Sequence, residues 1–221
     1  MISNGPHLQI GEVLAGEPRQ RILNAATQVF TQKGLRGART REIARLAGVN
    51  VASIHYYFGT KERLYERIIR PIFTVVVDGL KGASRSSADP RRCIEAVVDA
   101  YFDLLREHPE LPRLMMWELV DGGVALEKVI KPMLKEEEIL VSERLRQVFQ
   151  KGQKMGMFKP HNPSQAVISL VALCVFPFFA GRLINTFFPG QALDAEFMAE
   201  RRSHVKDLLI SGLALHSETS S

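Results

Sequence analysis

The sequence predicts an all-α protein, with a small N-terminal helical domain followed by a larger C-terminal helical bundle. Three observations lead there. Apolar residues recur every three or four positions through most of the 221 residues. Glycine and proline divide that pattern into helix-length pieces. No segment of useful length shows the apolar–polar alternation of a strand, and no internal repeat is present. Apolar residues form 46% of the chain, enough for a sizeable core.

The elements follow in order. Pro18 suits a helix start, where its missing N–H costs nothing. Ile22, Ala25, Ala26, Val29 and Phe30 then mark one buried face, and Gly34 ends the helix. Thr40 is expected to cap a short second helix, with Glu42 near its positive end. Ile43, Ala44, Leu46 and Ala47 form its apolar face, and Gly48 stops it. Asn50 is expected to cap a short third helix, with Ile54 and Phe58 inward. Thr60 caps a fourth that carries Leu64, Ile68 and Ile72. The segment GASRSSAD, from Gly82, reads as a loop, and Pro90 to Glu107 as the next helix. Leu111 to Leu119 is a short helix, and Glu127 to Lys151 a single long amphipathic one. GMFKPHNP, residues 156–163, reads as a loop. Ser164 is expected to cap an apolar helix reaching Phe188, and the last helix runs from Asp194 to Leu215.

The domain expectation is an arm over 1–17, a helix-turn-helix domain over 18–70 and a second domain over 71–221. The arm carries neither the basic n-region nor the apolar h-region of a secretory signal. The run AVISLVALCVFPFFA, from Ala166, falls short of the roughly 20 residues a bilayer requires and contains Pro177. It reads as a buried helix, so the protein is expected in the cytoplasm without a membrane partner.

Charge narrows the function. Residues 1–70 hold 11 Lys and Arg against 5 Asp and Glu, while the rest of the chain is nearly balanced. A basic first third fits a polyanion partner or a merely solvated basic face. Cys93 and Cys174 stand far apart, which suits neither a disulfide framework nor a zinc site. Buried thiols are the expectation, with Arg91 and Arg92 a weak hint of activation at Cys93. His108, His161 and His204 show no metal-ligand spacing. Lys135 to Glu138 reads as a solvated face. No G-x-S-x-G, H-E-x-x-H, G-x-x-x-x-G-K or G-x-G-x-x-G motif is present, so neither an enzyme nor a cofactor or metal is expected.

The stretch TREIARLAGVNVASIHYYFGTKERLY, from Thr40, has the spacing of a helix-turn-helix. Gly48 permits a left-handed turn, Val49 plugs the space between helices, and the third helix becomes the reading helix. With Ile54 and Phe58 inward, Val51, Ala52, His55 and Tyr56 face outward. Val51 and Ala52 allow close approach and can touch thymine methyl groups. His55, Tyr56 and Tyr57 can donate to bases or phosphates. Thr40, Arg41 and Lys61 stand at helix starts that favour phosphate. Asn50 and Ser53 complete the expected DNA-facing set.

The same residues carry a family resemblance. A helix ending in glycine is followed by Thr40, Ile43, Ala44, Ala47, Gly48 and Val49, then by Tyr56, Tyr57, Phe58, Lys61 and Leu64. This segment, from Pro18 to Ile69, resembles the N-terminal domain of the tetracycline-repressor (TetR) family. Many members have tyrosine where His55 stands. The resemblance implies a homodimeric transcriptional regulator, usually a repressor, released from palindromic duplex DNA by a small-molecule effector. It further implies a dimer interface on the last two long helices, here with Val167, Leu170, Val171, Cys174, Phe178 and Leu183. Complete burial of that helix within the monomer is the alternative. The effector pocket is expected among Phe73, Val76, Tyr101, Leu105, Met115, Trp117, Glu118 and Phe149, although such residues are also ordinary core. Glu118, if buried, needs a partner such as Arg113 or a cationic ligand. A membrane-surface or partner-binding helical protein also fits the basic first third, but leaves the Gly48 turn unexplained.

Overall fold

The structure is a computed structural model describing residues 16–135, 141–189 and 194–214. These form ten helices: α1 (Pro18–Gly37), α2 (Thr40–Ala47), α3 (Val51–Phe58), α4 (Lys61–Ser84), α5 (Pro90–Glu107), α6 (Glu110–Val120), α7 (Val124–Lys135), α8 (Val141–Lys154), α9 (Pro163–Phe187) and α10 (Ala195–Leu213). The expected single helix from Glu127 to Lys151 is instead two, α7 and α8. The Lys135 to Glu138 run falls outside the described side chains, and so does nearly all of the expected arm.

Two compact units result. The first takes its described residues from 16–74 and 108–135, the second from 75–107, 141–189 and 194–214. A single cut after residue 70 does not describe this grouping. Helices α6 and α7 pack with the N-terminal helices, because α6 lies against α1.

The first unit closes over Ile22, Val29 and Phe30 of α1, Ile43 and Ala47 of α2, Ile54 of α3, and Leu64 and Tyr65 of α4. Leu114 of α6 and Val129 of α7 complete it. Gly34 breaks α1 with φ 67°, and the Trp117 ring packs on its bare Cα. The Trp117 indole N–H donates to the Thr31 carbonyl at 3.2 Å. Next to it, Glu118 is only 3% exposed. One carboxylate oxygen accepts from the Tyr65 hydroxyl at 2.7 Å, and the other from the Leu126 amide at 2.8 Å, in the first turn of α7. The partner of Glu118 is thus Tyr65 and a helix end, rather than Arg113. A carboxylate there also favours the positive end of α7. Burial, then the Glu118 hydrogen bond, pushes the Tyr65 phenol well above its ordinary value. Tyr65→Phe leaves one buried carboxylate oxygen without its donor, and is expected to cost about 1–3 kcal/mol. Chemical denaturation checks this, and an unchanged midpoint would remove the bond from the account.

In the second unit, α5 lies at the centre, packed against α8, α9 and α10. Ile94, Val97, Val98 and Phe102 of α5 meet Phe149 of α8, Leu170 and Cys174 of α9, and Val205 of α10. Arg202 of α10 pairs with Asp103 and Asp99 of α5, and Lys206 pairs with Asp99 at 2.6 Å. The loop after α8 is pinned at both ends. The Met157 and Phe158 amides donate to the Gly152 carbonyl at 2.9 and 3.3 Å. The Lys159 amide donates to the Leu213 carbonyl at 2.8 Å.

Two expected caps differ. Arg39, not Thr40, holds the position before α2, and Thr40 is its first helical residue. Asn162, not Ser164, caps α9 by accepting from the Ser164 and Gln165 amides, with Pro163 opening the helix. An asparagine just before proline fits both roles, since proline needs no acceptor.

Candidate nucleic-acid interface

The α2–turn–α3 segment is built from local rules. Gly48 adopts φ 62°, ψ 40°, the left-handed conformation that glycine reaches without a Cβ clash. The chain then doubles back, and the Val49 amide donates to the Ala44 carbonyl at 3.0 Å. Asn50 caps α3: its side-chain oxygen accepts from the Ser53 amide at 2.8 Å and the Ser53 hydroxyl at 2.9 Å. Ile54 and Phe58 enter the core, four residues apart on one face.

That fixes the opposite face. Ala52, His55 and Tyr56 are exposed together, at the i, i+3 and i+4 spacing of one helical stripe. Tyr56 is 83% exposed, its ring edge-on to Tyr57 at 5.0 Å. An exposed tyrosine that covers no core is available to a partner. Arg41 is also exposed, while Thr40, Val51 and Ser53 are half-buried. None of the ten residues expected to face DNA is buried.

Two of them already hold backbone carbonyls. The Lys61 ammonium donates to the Ala38 carbonyl at 3.0 Å, which anchors the chain between α1 and α2. It retains two further N–H donors. His55 Nδ1 lies 2.8 Å from the Gly59 carbonyl oxygen. The sequence reading missed Arg39, which is exposed at the start of α2. Its position one residue before Thr40 was the available signal. Chemically, the surface offers guanidinium, ammonium, hydroxyl and imidazole groups around a small-residue patch, a set suited to phosphates and base edges.

The expected effector residues divide between the two units. Phe73, Met115, Trp117 and Glu118 belong to the first unit, and Val76, Tyr101, Leu105 and Phe149 to the second. Leu105 and Phe149 are buried in the core, and Trp117 covers Gly34. Glu118 alone of the eight lines a cavity of about 190 Å³ within the first unit, with Leu35, Tyr65, Asp121, Val124 and Val129.

The expected interface residues on α9 differ in exposure within the protomer. Val167, Leu170 and Cys174 point into the second unit's own core, and Val171 and Phe178 pack against it. Only Leu183 is exposed. The helix is apolar on several faces, so its hydrophobicity did not mark which one turns inward. The outward stripe is Ile168, Ala172, Phe176, Leu183 and Phe187. This helix is also long and apolar enough to cross a membrane, by length and composition.

Both thiols are buried and free. Burial pushes Cys93 up despite nearby Lys151 and Arg144, so Arg91 and Arg92 are not its cations. Burial pushes Cys174 up to about 12. Thiols held protonated in this way are poor nucleophiles and poor redox sensors. His161, expected as a lone surface or capping residue, stands edge-on to Phe149 at 5.8 Å.

Comparison with known proteins gives a consistent result. Residues 22–68 match the family described as "Bacterial regulatory proteins, tetR family". Residues 90–209 match the one described as "Tetracyclin repressor-like, C-terminal domain". The HTH-type transcriptional repressor NicS of Pseudomonas putida is 27% identical over 201 residues, spanning 90% of this chain and 93% of that protein. The HTH-type transcriptional regulator RutR of Escherichia coli K12 is 28% identical over 158 residues, 70% of each chain. The crystal structure of the regulator PfmR from Thermus thermophilus superposes with a TM-score of 0.66 at 20% identity. It covers 91% of this chain and 100% of that one, a likeness of fold.

Proposed function

We propose, from the premise that this chain belongs to the tetR family of bacterial regulatory proteins, that it is a cytoplasmic repressor. It binds a palindromic operator as a homodimer and leaves it when a small effector binds. Members of the family are non-enzymatic DNA-binding transcriptional regulators. The observation that carries the finer reading is the face of α3. Ile54 and Phe58 anchor the helix, so Ala52, His55 and Tyr56 must face whatever the unit meets. In the proposed complex α3 lies in the major groove. In that complex its N-terminus, where Asn50 and Ser53 are hydrogen-bonded to each other, meets a phosphate. Arg41, Tyr57 and Lys61 hold the backbone on either side.

The exposed stripe of α9 supports the two-fold reading. Soluble chains rarely leave a long apolar stripe uncovered. Ile168, Phe176, Leu183 and Phe187, with Leu208 of α10, are all exposed large apolar residues. A second copy covers them through an isologous contact. The effector then acts only through unequal affinity for the DNA-bound and released forms.

Selection of bound duplexes from a random library, at near-physiological salt, tests the reading. A palindrome with half-sites about one helical turn apart is the expected product. Tyr56→Ala should weaken binding to it at least about fivefold, a loss of about 1–3 kcal/mol, with the dimer unchanged by light scattering. Equal affinity in that variant would count against the docking.

A further inference from the structure

We infer that His55 reads an amino-bearing base, cytosine through N4 or adenine through N6, from the major groove. The inference rests on the docking of α3 proposed above.

The geometry around Gly59 decides which proton His55 carries. Its Nδ1 lies 2.8 Å from the Gly59 carbonyl oxygen. A carbonyl oxygen has no proton to give, so Nδ1 must hold the hydrogen and donate it. The contact is reciprocal, because the Gly59 amide donates to the His55 carbonyl at 2.9 Å. Gly59 reaches this arrangement with φ 75°, ψ −81°, a conformation that side-chain-bearing residues rarely adopt. The loop so formed fixes both the tautomer and the ring orientation.

With Nδ1 protonated, the neutral imidazole presents Nε2 as an acceptor only. Among the described residues, no hydrogen-bond partner meets Nε2, and the side chain is exposed. His55 shares the stripe of Ala52, three residues earlier, which is small enough to let α3 approach base edges. A lone acceptor is repelled by phosphate oxygens, and by guanine N7 and O6 or thymine O4. In the major groove the donors it can meet are the exocyclic amines of cytosine and adenine. A tyrosine hydroxyl at this position could donate to phosphate or to guanine, whereas neutral His55 selects against both.

The test uses the full-length protein at pH 8, where an imidazole is ordinarily neutral. Duplexes are selected from a random library by the wild type, His55→Ala and Tyr56→Ala. The expected result is one position per half-site where the wild type prefers cytosine or adenine and His55→Ala shows no preference. The wild type is then measured on its selected duplex with that one base replaced by an analogue lacking the amine, 2-pyrimidinone for cytosine or purine for adenine. Affinity should fall at least about fivefold, while His55→Ala should bind both duplexes equally. The analogue arm can be run at each cytosine and adenine of the selected half-site with the wild-type protein alone, so it stands even if a variant folds poorly. A His55-dependent preference for guanine or thymine overturns the inference, as does an analogue bound as tightly as the natural base. If Tyr56→Ala loses affinity while His55→Ala leaves every preference unchanged, the docking stands and the inference fails. If the wild type enriches no sequence, both fall together.

Discussion

Gly152→Ala should lower the melting temperature by about 4–8 °C, a large loss of stability for the addition of a single methyl group. Gly152 lies inside α8, and a Cβ built there would overlap Cδ2 and Cε2 of the Phe158 ring. Phe158 has little room to give way. It is 1% exposed and packs against Phe149. Its amide donates to the Gly152 carbonyl, and the Lys159 amide that follows is held by Leu213. Overpacking of a core typically costs about 1–3 kcal/mol, and a pinned ring belongs at the upper end. Two effects compete, because alanine is a better helix former than glycine by about 1 kcal/mol. The steric effect should win by about 2 kcal/mol, which at about 2–4 °C per kcal/mol gives the stated shift. Differential scanning calorimetry decides the sign. A rise in melting temperature would mean that the ring rotates away freely, and that the Gly152–Phe158 contact does not hold the loop in place.

Phe176→Asp is expected to dissociate the dimer and to reduce operator affinity by at least about a hundredfold, with little change in the fold of the protomer. Phe176 is 56% exposed at the centre of the α9 stripe, so an aspartate there costs the isolated protomer little. In an isologous contact each substitution appears twice, which places two carboxylates inside one apolar interface. Desolvating a charge without a partner costs several kcal/mol. A protein reduced to a monomer engages one half-site and loses the gain from linking two reading units. Sedimentation velocity and operator titration read the two effects separately. Leu170→Asp is the matching control. Leu170 is fully buried in the second unit's core, so that change should unfold the unit rather than merely separate two copies. A Phe176→Asp protein that remains a dimer would move the interface away from this stripe.

The contrast between Phe176 and Leu170 shows how far the sequence could be read. Both lie on a helix that is hydrophobic nearly all round. Periodicity therefore identified the helix and its length, but gave no reason to prefer one face. The residues chosen for the interface were mostly those that α5 and α10 already cover. On α3 the inward face was legible from the same pattern. Ile54 and Phe58 are its large apolar residues at helical spacing, and they alone are buried there.

Glu118 makes the same point over a longer span. Its partner Tyr65 lies 53 residues away in sequence. No local pattern could have selected it over Arg113, which stands much nearer in the chain. The pinned ring of Phe158 and the packing of α6 and α7 with the N-terminal helices were equally hidden. Each depends on which distant segments meet.

The sequence by itself determined the helical class, the left-handed turn at Gly48, the Asn50 cap and the inward and outward faces of α3. These are governed by interactions within about four residues, where backbone sterics, capping and helical period act directly. Only the tertiary structure decided which face of α9 turns outward and what satisfies Glu118. Those depend on groups brought together by packing, and a linear pattern holds no term for the distance between segments until the chain has folded.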